Sequence, residues 1–189
     1  MELKVGFALC GSFCTFHRAL EQMERLTEEG MSVTPILSVC AATTDTRFGL
    51  ARDWQERFTA ATGNRPLLTL TDVEPIGPKG YFDVLVVAPC TGSTLGRLAN
   101  GISDTPVTLA VKSQLRRGRP VVIAVSTNDA LGFSMRNIAL LKNSKHLYFV
   151  PMSQDDAANK PNSLVADFTK LSAAIHAAQV GVQLQPLFE

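Results

Sequence analysis

The chain has 189 residues, 46% of them hydrophobic and 19% charged, and carries a formal charge of +1. A domain of that length removes roughly 70% of its unfolded surface from water, so it needs no metal or disulfide staple to hold a core. The near-zero charge removes the electrostatic case for nucleic acid or an anionic membrane as partner.

Residues 3–10 form an apolar run that predicts a strand. The run is too short for a signal-peptide core or a membrane span, so a cytosolic chain is expected. Phe16, Ala19, Leu20, Met23 and Leu26 then recur at helical spacing, with Gly30 as the closing glycine. Residues 33–40 read as a second strand. Leu50, Trp54 and Phe58 fall four apart and predict a helix that stops before Gly63-Asn64. A short strand is expected at 67–70. A loop is expected at 74–80, which carries Pro75, Gly77, Pro78 and Gly80.

Residues 83–88 are the clearest buried strand, stopped by Pro89. Residues 93–100 read as helix. Asp104-Thr105-Pro106 then offers a cap with proline at the first helical position, and Val107, Ala110, Val111 and Leu115 stripe the helix that follows. Residues 120–125 are another buried strand, with Leu131, Met135, Ile138 and Leu141 marking the next helix. Residues 147–150 read as the last strand and 151–161 as a polar loop. Leu164, Phe168, Leu171 and Ile175 stripe a C-terminal helix.

Strand and helix alternate without repeat or linker, so one α/β domain over 1–189 is expected. Parallel neighbours need crossover helices, which makes the fold class a three-layer, doubly wound parallel sheet of Rossmann-like or flavodoxin-like type. Ligands in such sheets sit beyond the carboxyl ends of the strands, where strand order reverses. Function is therefore sought in the loops after Cys10, Cys40, Ala88 and Val125.

The first of these, Gly11-Ser12-Phe13-Cys14-Thr15-Phe16, opens a helix. Its glycine permits close approach, and helix-terminal amides with the Ser12 and Thr15 hydroxyls suit a phosphate or another anion. The loop lacks G-x-G-x-x-G, and Ser38-Val39-Cys40-Ala41 supplies no carboxylate for a ribose diol, which argues against a nicotinamide dinucleotide here. The third loop carries Thr91, Gly92, Ser93 and Thr94 between a buried strand and a helix. A helix needs one cap, so several hydroxyls together suggest a ligand cradle. The fourth, Ser126-Thr127-Asn128-Asp129, is again polar where a buried strand ends.

The Gly11-Ser12 loop, the Pro89-Cys90-Thr91-Gly92-Ser93-Thr94 run and the later Ala99-Asn100-Gly101-Ile102-Ser103-Asp104 resemble signatures of the flavoprotein family. That family includes phosphopantothenoylcysteine decarboxylase and the flavin prenyltransferases. The resemblance extends through Gly80-Tyr81-Phe82-Asp83, residues 119–129 and Lys160-Pro161-Asn162-Ser163-Leu164. It implies an FMN or phosphate site at Gly11, Ser12, Thr15, Ser38, Thr91, Gly92, Ser93 and Thr94, with Asn128 and Arg97 facing a small dicarboxylate substrate. It also implies a homo-oligomeric, cytoplasmic component of an oxidoreductase complex in a spore former. NADP is then expected only in a separate, nicotinamide-binding partner. The family's decarboxylases carry a histidine before the strand that begins here at Asp83, where this chain has Pro75-Ile76-Gly77-Pro78. Ser93 stands where the family usually has asparagine.

The remaining polar groups divide more simply. His17 lies near the start of the first helix and is a candidate donor to the anion. His146 and His176 read as surface, as does Arg116-Arg117-Gly118-Arg119 at a helix end, where cations offset the dipole. Cys10, Cys14, Cys40 and Cys90 show neither C-x-x-C pairs nor metal-type spacing and read as free thiols. No metal site is expected.

Overall fold

The computed structural model describes residues 2–189; Met1 lies outside them. In chain order the elements are β1 (Lys4–Leu9), α1 (Phe16–Glu28), β2 (Ser32–Leu37), α2 (Val39–Thr43), α3 (Ala51–Thr62), α4 (Leu70–Val73) and α5 (Ile76–Lys79). There follow β3 (Val84–Cys90), α6 (Gly92–Ala99), α7 (Pro106–Arg116), β4 (Val121–Thr127), α8 (Phe133–Lys142), β5 (Leu147–Phe149), β6 (Met152–Ser153), β7 (Leu164–Ala166) and α9 (Leu171–Gln179). Strands β2, β1, β3, β4 and β5 pair in that order, all parallel. This is the flavodoxin-like order, whose reversal point lies between β1 and β3.

Side-chain alternation along β3 shows why the sheet carries two cores. Val84 and Val86 point to the face covered by α1, α3 and α9, packing with Phe16, Met23, Phe58 and Ile175. Leu85 and Val87 point the other way, onto Val107, Val111 and Ile138. Every side chain of β3 is buried, which is what a central parallel strand requires. Fully burying one such valine is worth roughly 1.5–3 kcal/mol, and an aspartate at Val86 would remove that and add an unpaired buried charge.

The structure departs from the expected elements where a polar side chain or a proline redirects the backbone. The second strand stops at Leu37 because Ser38 accepts from the Ala41 amide and caps α2. The expected strand at 67–70 is a single bridge between Ile36 and Leu67. It gives way to α4, capped reciprocally by Thr69 and Asp72. The expected loop at 74–80 contains one helical turn, α5, closed by Gly80 at a φ of 61°. β3 runs through Pro89 to Cys90, and the register slips between Val87 and Cys90. Proline has no N–H for the ladder, so a bulge is where a central strand can hold one.

The largest correction concerns the C-terminal third. Residues 147–150 are not the last strand: β6 and β7 pair antiparallel, and β7 pairs antiparallel with Ser126 and Thr127 of β4. Leu164 therefore belongs to a strand, and the C-terminal helix begins only at Leu171. This annex stands on the carboxyl end of β4, so residues 154–163 come to the same end of the sheet as the loops after β1 and β3. At the opposite end, Arg117 donates to the Gly77 carbonyl at 3.0 Å and Arg119 to the Gly80 carbonyl at 3.2 Å. Arg117 is exposed and Arg119 half-buried, as a surface run at a helix end should be, and both anchor the entry to β3 from outside.

Candidate functional site

A cavity of about 900 Å³ opens at the carboxyl ends of β1, β3 and β4. Its size falls in the range of roughly 300–1,000 Å³ typical of small-molecule sites. Gly11 to Thr15 and Arg18 form one wall, Thr91 to Ser93 another, and Ser126 to Asp129 a third. Phe48, from the segment before α3, and Asp155, Lys160, Ser163 and Val165, from the annex, close the rest.

The walls are tied together by short polar contacts. Ser12 and Ser126 hydroxyls share a hydrogen bond of 2.8 Å, which ties the loop after β1 to the carboxyl end of β4 across the end of β3. Thr15 is buried, and its hydroxyl donates to the Ser12 carbonyl at 2.8 Å, which fixes the loop. The Asp129 carboxylate accepts from Thr127 at 2.5 Å and from Ser134 at 2.9 Å. Gly92 approaches so closely that a Cβ there would lie 2.8 Å from Asp129 Oδ1, 2.8 Å from Ser134 Oγ and 2.9 Å from Thr127 Oγ1. Gly92 thus serves to pack the start of α6 against this carboxylate cluster.

Of the ten residues proposed from sequence, Gly11, Ser12, Thr15, Thr91, Gly92, Ser93 and Asn128 line the cavity, while Thr94, Ser38 and Arg97 lie outside it. Thr91 caps α6, accepting from the Thr94 amide at 3.4 Å, and Thr94 is buried with its hydroxyl donating to Cys10 Sγ at 3.1 Å. The hydroxyl-rich run is therefore partly a cap and partly the lid of a buried thiol. Hydrogen bonds from Cys90 and Thr94 draw the Cys10 thiol down against the effect of burial. Burial pushes the Cys90 thiol well up. Ser38 is taken up by the α2 cap. Arg97 donates to Asp104 at 3.1 Å, on the flank of α6. His17 also misses the cavity; its ring stands edge-on to Trp54, with centroids 4.8 Å apart.

Three groups on the cavity wall carry no side-chain hydrogen bond among the described residues: Arg18, Ser93 and the exposed Asn128 amide. Arg18 is missing from the sequence expectations, although it stands three residues beyond Thr15 and so shares its helix face. Lys160 is likewise missing from the expected site residues, although it opens the Lys160-Pro161-Asn162-Ser163-Leu164 stretch of the family resemblance. It pairs with Asp155 at 2.7 Å, both partly exposed. The hydrogen bond that Lys160 donates to Asp155 raises the Lys160 pKa, and the same bond lowers that of Asp155, with Ser163 adding. No histidine lines the cavity, and no His, Cys, Asp and Glu group fit for a metal occurs among the described residues.

The family model described as Flavoprotein matches residues 1–176. The chain belongs to the Flavoprotein family. The chain is 40% identical over 184 residues to the B subunit of dipicolinate synthase from Bacillus subtilis, covering 97% of this chain and 92% of that one. The crystal structure of the corresponding B subunit from Bacillus halodurans superimposes with a TM-score of 0.91 at 43% identity, covering 100% of this chain and 98% of the other. An FMN-dependent cysteine decarboxylase, SpaF, shares the fold at a TM-score of 0.67 and 22% identity, over 93% and 97% of the two chains. Among the described residues no helix is long and apolar enough to cross a membrane.

Proposed function

We infer that this chain works as the B subunit of a dipicolinate synthase. It contributes to converting a dihydrodipicolinate precursor to pyridine-2,6-dicarboxylate during sporulation, in the mother-cell cytoplasm, as one domain of a homo-oligomer. The observation that carries this reading is 40% identity sustained over 97% of the chain. Aromatising a dihydropyridine removes a hydride and a proton. This chain has no glycine fingerprint after β1 and no carboxylate after β2, so the hydride acceptor, NADP, belongs to the nicotinamide-binding A subunit of the synthase. The cavity then shapes the substrate site, with Asn128 offering both a donor and an acceptor to a carboxylate or a ring nitrogen.

The donor set also fits FMN. The Gly11 amide and the Ser12 hydroxyl would hold its phosphate in the loop after β1. Ser93, Asn128 and the Phe48 ring would meet the flavin. When bound, FMN would supply a two-electron acceptor. Phosphate alone is the simpler occupant of the same corner.

The reading is tested by reconstitution. Dipicolinate formation by the nicotinamide-binding partner with NADP is measured with and without this chain, and a gain of tenfold or more is expected. Equal activity without it would leave a non-catalytic scaffold with a vestigial flavin pocket. Visible absorbance of the purified chain separates bound FMN from phosphate. It also bears on the alternative of an independent FMN decarboxylase or prenyltransferase.

A further inference from the structure

The Asp155–Lys160 pair joins two residues of one connection, that between β6 and β7, and both face the cavity. We propose that Arg18 and Lys160 are the two carboxylate-binding residues of the site, and that Asp155 occupies Lys160 until a substrate carboxylate displaces it. This rests on the reading of the cavity as a dicarboxylate site, and it adds which residues read the two charges and how the site is masked.

The argument is one of charge count. The side chains facing the cavity include two cations, Arg18 and Lys160, and two carboxylates, Asp129 and Asp155. Asp129 is fixed against Gly92 by the Thr127 and Ser134 hydroxyls. Asp155 is tied to Lys160. A doubly charged ligand therefore meets a wall that is neutral overall, in which, among the described residues, Arg18 has no ion pair and Lys160 is already paired. It gains a second cation only if Asp155 lets go. That exchange is easy, because the Lys160 side chain is 53% exposed and that of Asp155 30% exposed. An ion pair this wet contributes little in water, whereas a substrate carboxylate brings its own apolar ring to shelter the contact.

The two cations are also suitably placed: both line the same cavity, Arg18 from the first turn of α1 and Lys160 from the annex. A dicarboxylate engages both, while a monocarboxylate satisfies Arg18 and leaves the Asp155 latch closed. The latch accordingly discriminates between one carboxylate and two.

The test is calorimetric titration of the full chain with pyridine-2,6-dicarboxylate, pyridine-2-carboxylate and inorganic phosphate. For the dicarboxylate, Lys160→Gln and Arg18→Gln should each weaken binding by about tenfold, the scale of one charge-assisted hydrogen bond. Asp155→Asn should tighten it several-fold, and that gain should vanish in the Lys160→Gln background. Pyridine-2-carboxylate should respond to Arg18→Gln alone. The latch is refuted if the wild type binds the dicarboxylate while Asp155→Asn and Lys160→Gln titrate like it. Parallel losses for phosphate and both pyridine acids would mean a general anion site and would equally overturn the proposal. Wild-type chain that ignores the dicarboxylate also overturns it, and reconstitution with the nicotinamide-binding partner then decides the reading of the cavity independently.

Discussion

Two glycines of the same helix should respond to alanine with opposite signs. At Gly92 a new Cβ meets three oxygens, Asp129 Oδ1, Ser134 Oγ and Thr127 Oγ1, all within 2.9 Å. Those oxygens are hydrogen-bonded to one another. None can step aside without breaking a bond to the next, so the clash is not relieved by one rotamer change. Overpacking of this kind costs about 1–3 kcal/mol. For a chain of this length each kcal/mol moves the melting temperature by about 2–4 °C, so Gly92→Ala should melt roughly 2–12 °C lower. At Gly96 the nearest atom to a new Cβ is Asn137 Nδ2 at 3.6 Å, an ordinary contact. There alanine gains only the helix preference of roughly 0.5–1 kcal/mol and should raise the melting temperature by about 1–4 °C. Thermal unfolding followed by circular dichroism measures both. Asp129→Ala removes one of the three opposing atoms, so its loss and that of Gly92→Ala should be less than additive. If Gly92→Ala melts at or above the wild type, the close approach does not constrain the site and this reasoning fails.

Other perturbations test separate links. Asn128→Ala should lower dipicolinate formation with the nicotinamide-binding partner by tenfold or more, about 1.4 kcal/mol of lost transition-state stabilisation. It should leave stability within about 1 kcal/mol, and unchanged activity in a folded variant would reduce Asn128 to a loop residue. Glu29 joins α1 to α9 by accepting from Ser172 at 2.5 Å; that bond, then Arg25, lowers its pKa. The unfolded chain therefore binds this proton more readily. The contribution is complete above the ordinary glutamate value of about 4.3 and is lost as pH falls through the lower folded value. Urea midpoints between neutral and acidic pH should fall more steeply for the wild type than for Glu29→Gln. Cys14 and Cys40 are exposed and Cys10 and Cys90 buried. A thiol reagent should thus modify two cysteines in the native protein and all four after denaturation.

The legible part of the fold is the part in which one strand or helix spans a whole apolar run. β1, β3, β4, α1, α3 and α7 each bury a face long enough to set a period, and their parallel order follows from the crossovers. The short elements cannot announce themselves that way. β6 has two residues and β7 three, too few for an alternation to be told from a loop. Leu164 and Leu171 fall seven apart, as a helix would also have them, so periodicity alone merges β7 with the helix that follows. At Pro89 the rule that proline ends a central strand meets its known exception, a bulge.

The candidate site divides along the same boundary, and the division has a physical cause. Residues at the ends of long strands are placed by those strands, so seven of the ten proposed positions reach the cavity without any knowledge of tertiary contacts. What composition cannot separate is a hydroxyl facing a ligand from one facing its own protein. Thr94 and Ser38 belong to the second kind because a buried sulfur and a helix terminus each needed a partner. Charge is harder still to place. Arg97 suits a carboxylate by position in the sequence, yet the carboxylate it meets is that of Asp104. Arg18 reads as one more polar residue on a helix surface. Lys160 reaches the cavity only because two very short strands turn its loop back over β4. Strands of two and three residues are too short to set a period, so the side chains that such a loop delivers to the cavity leave no periodic trace in the sequence.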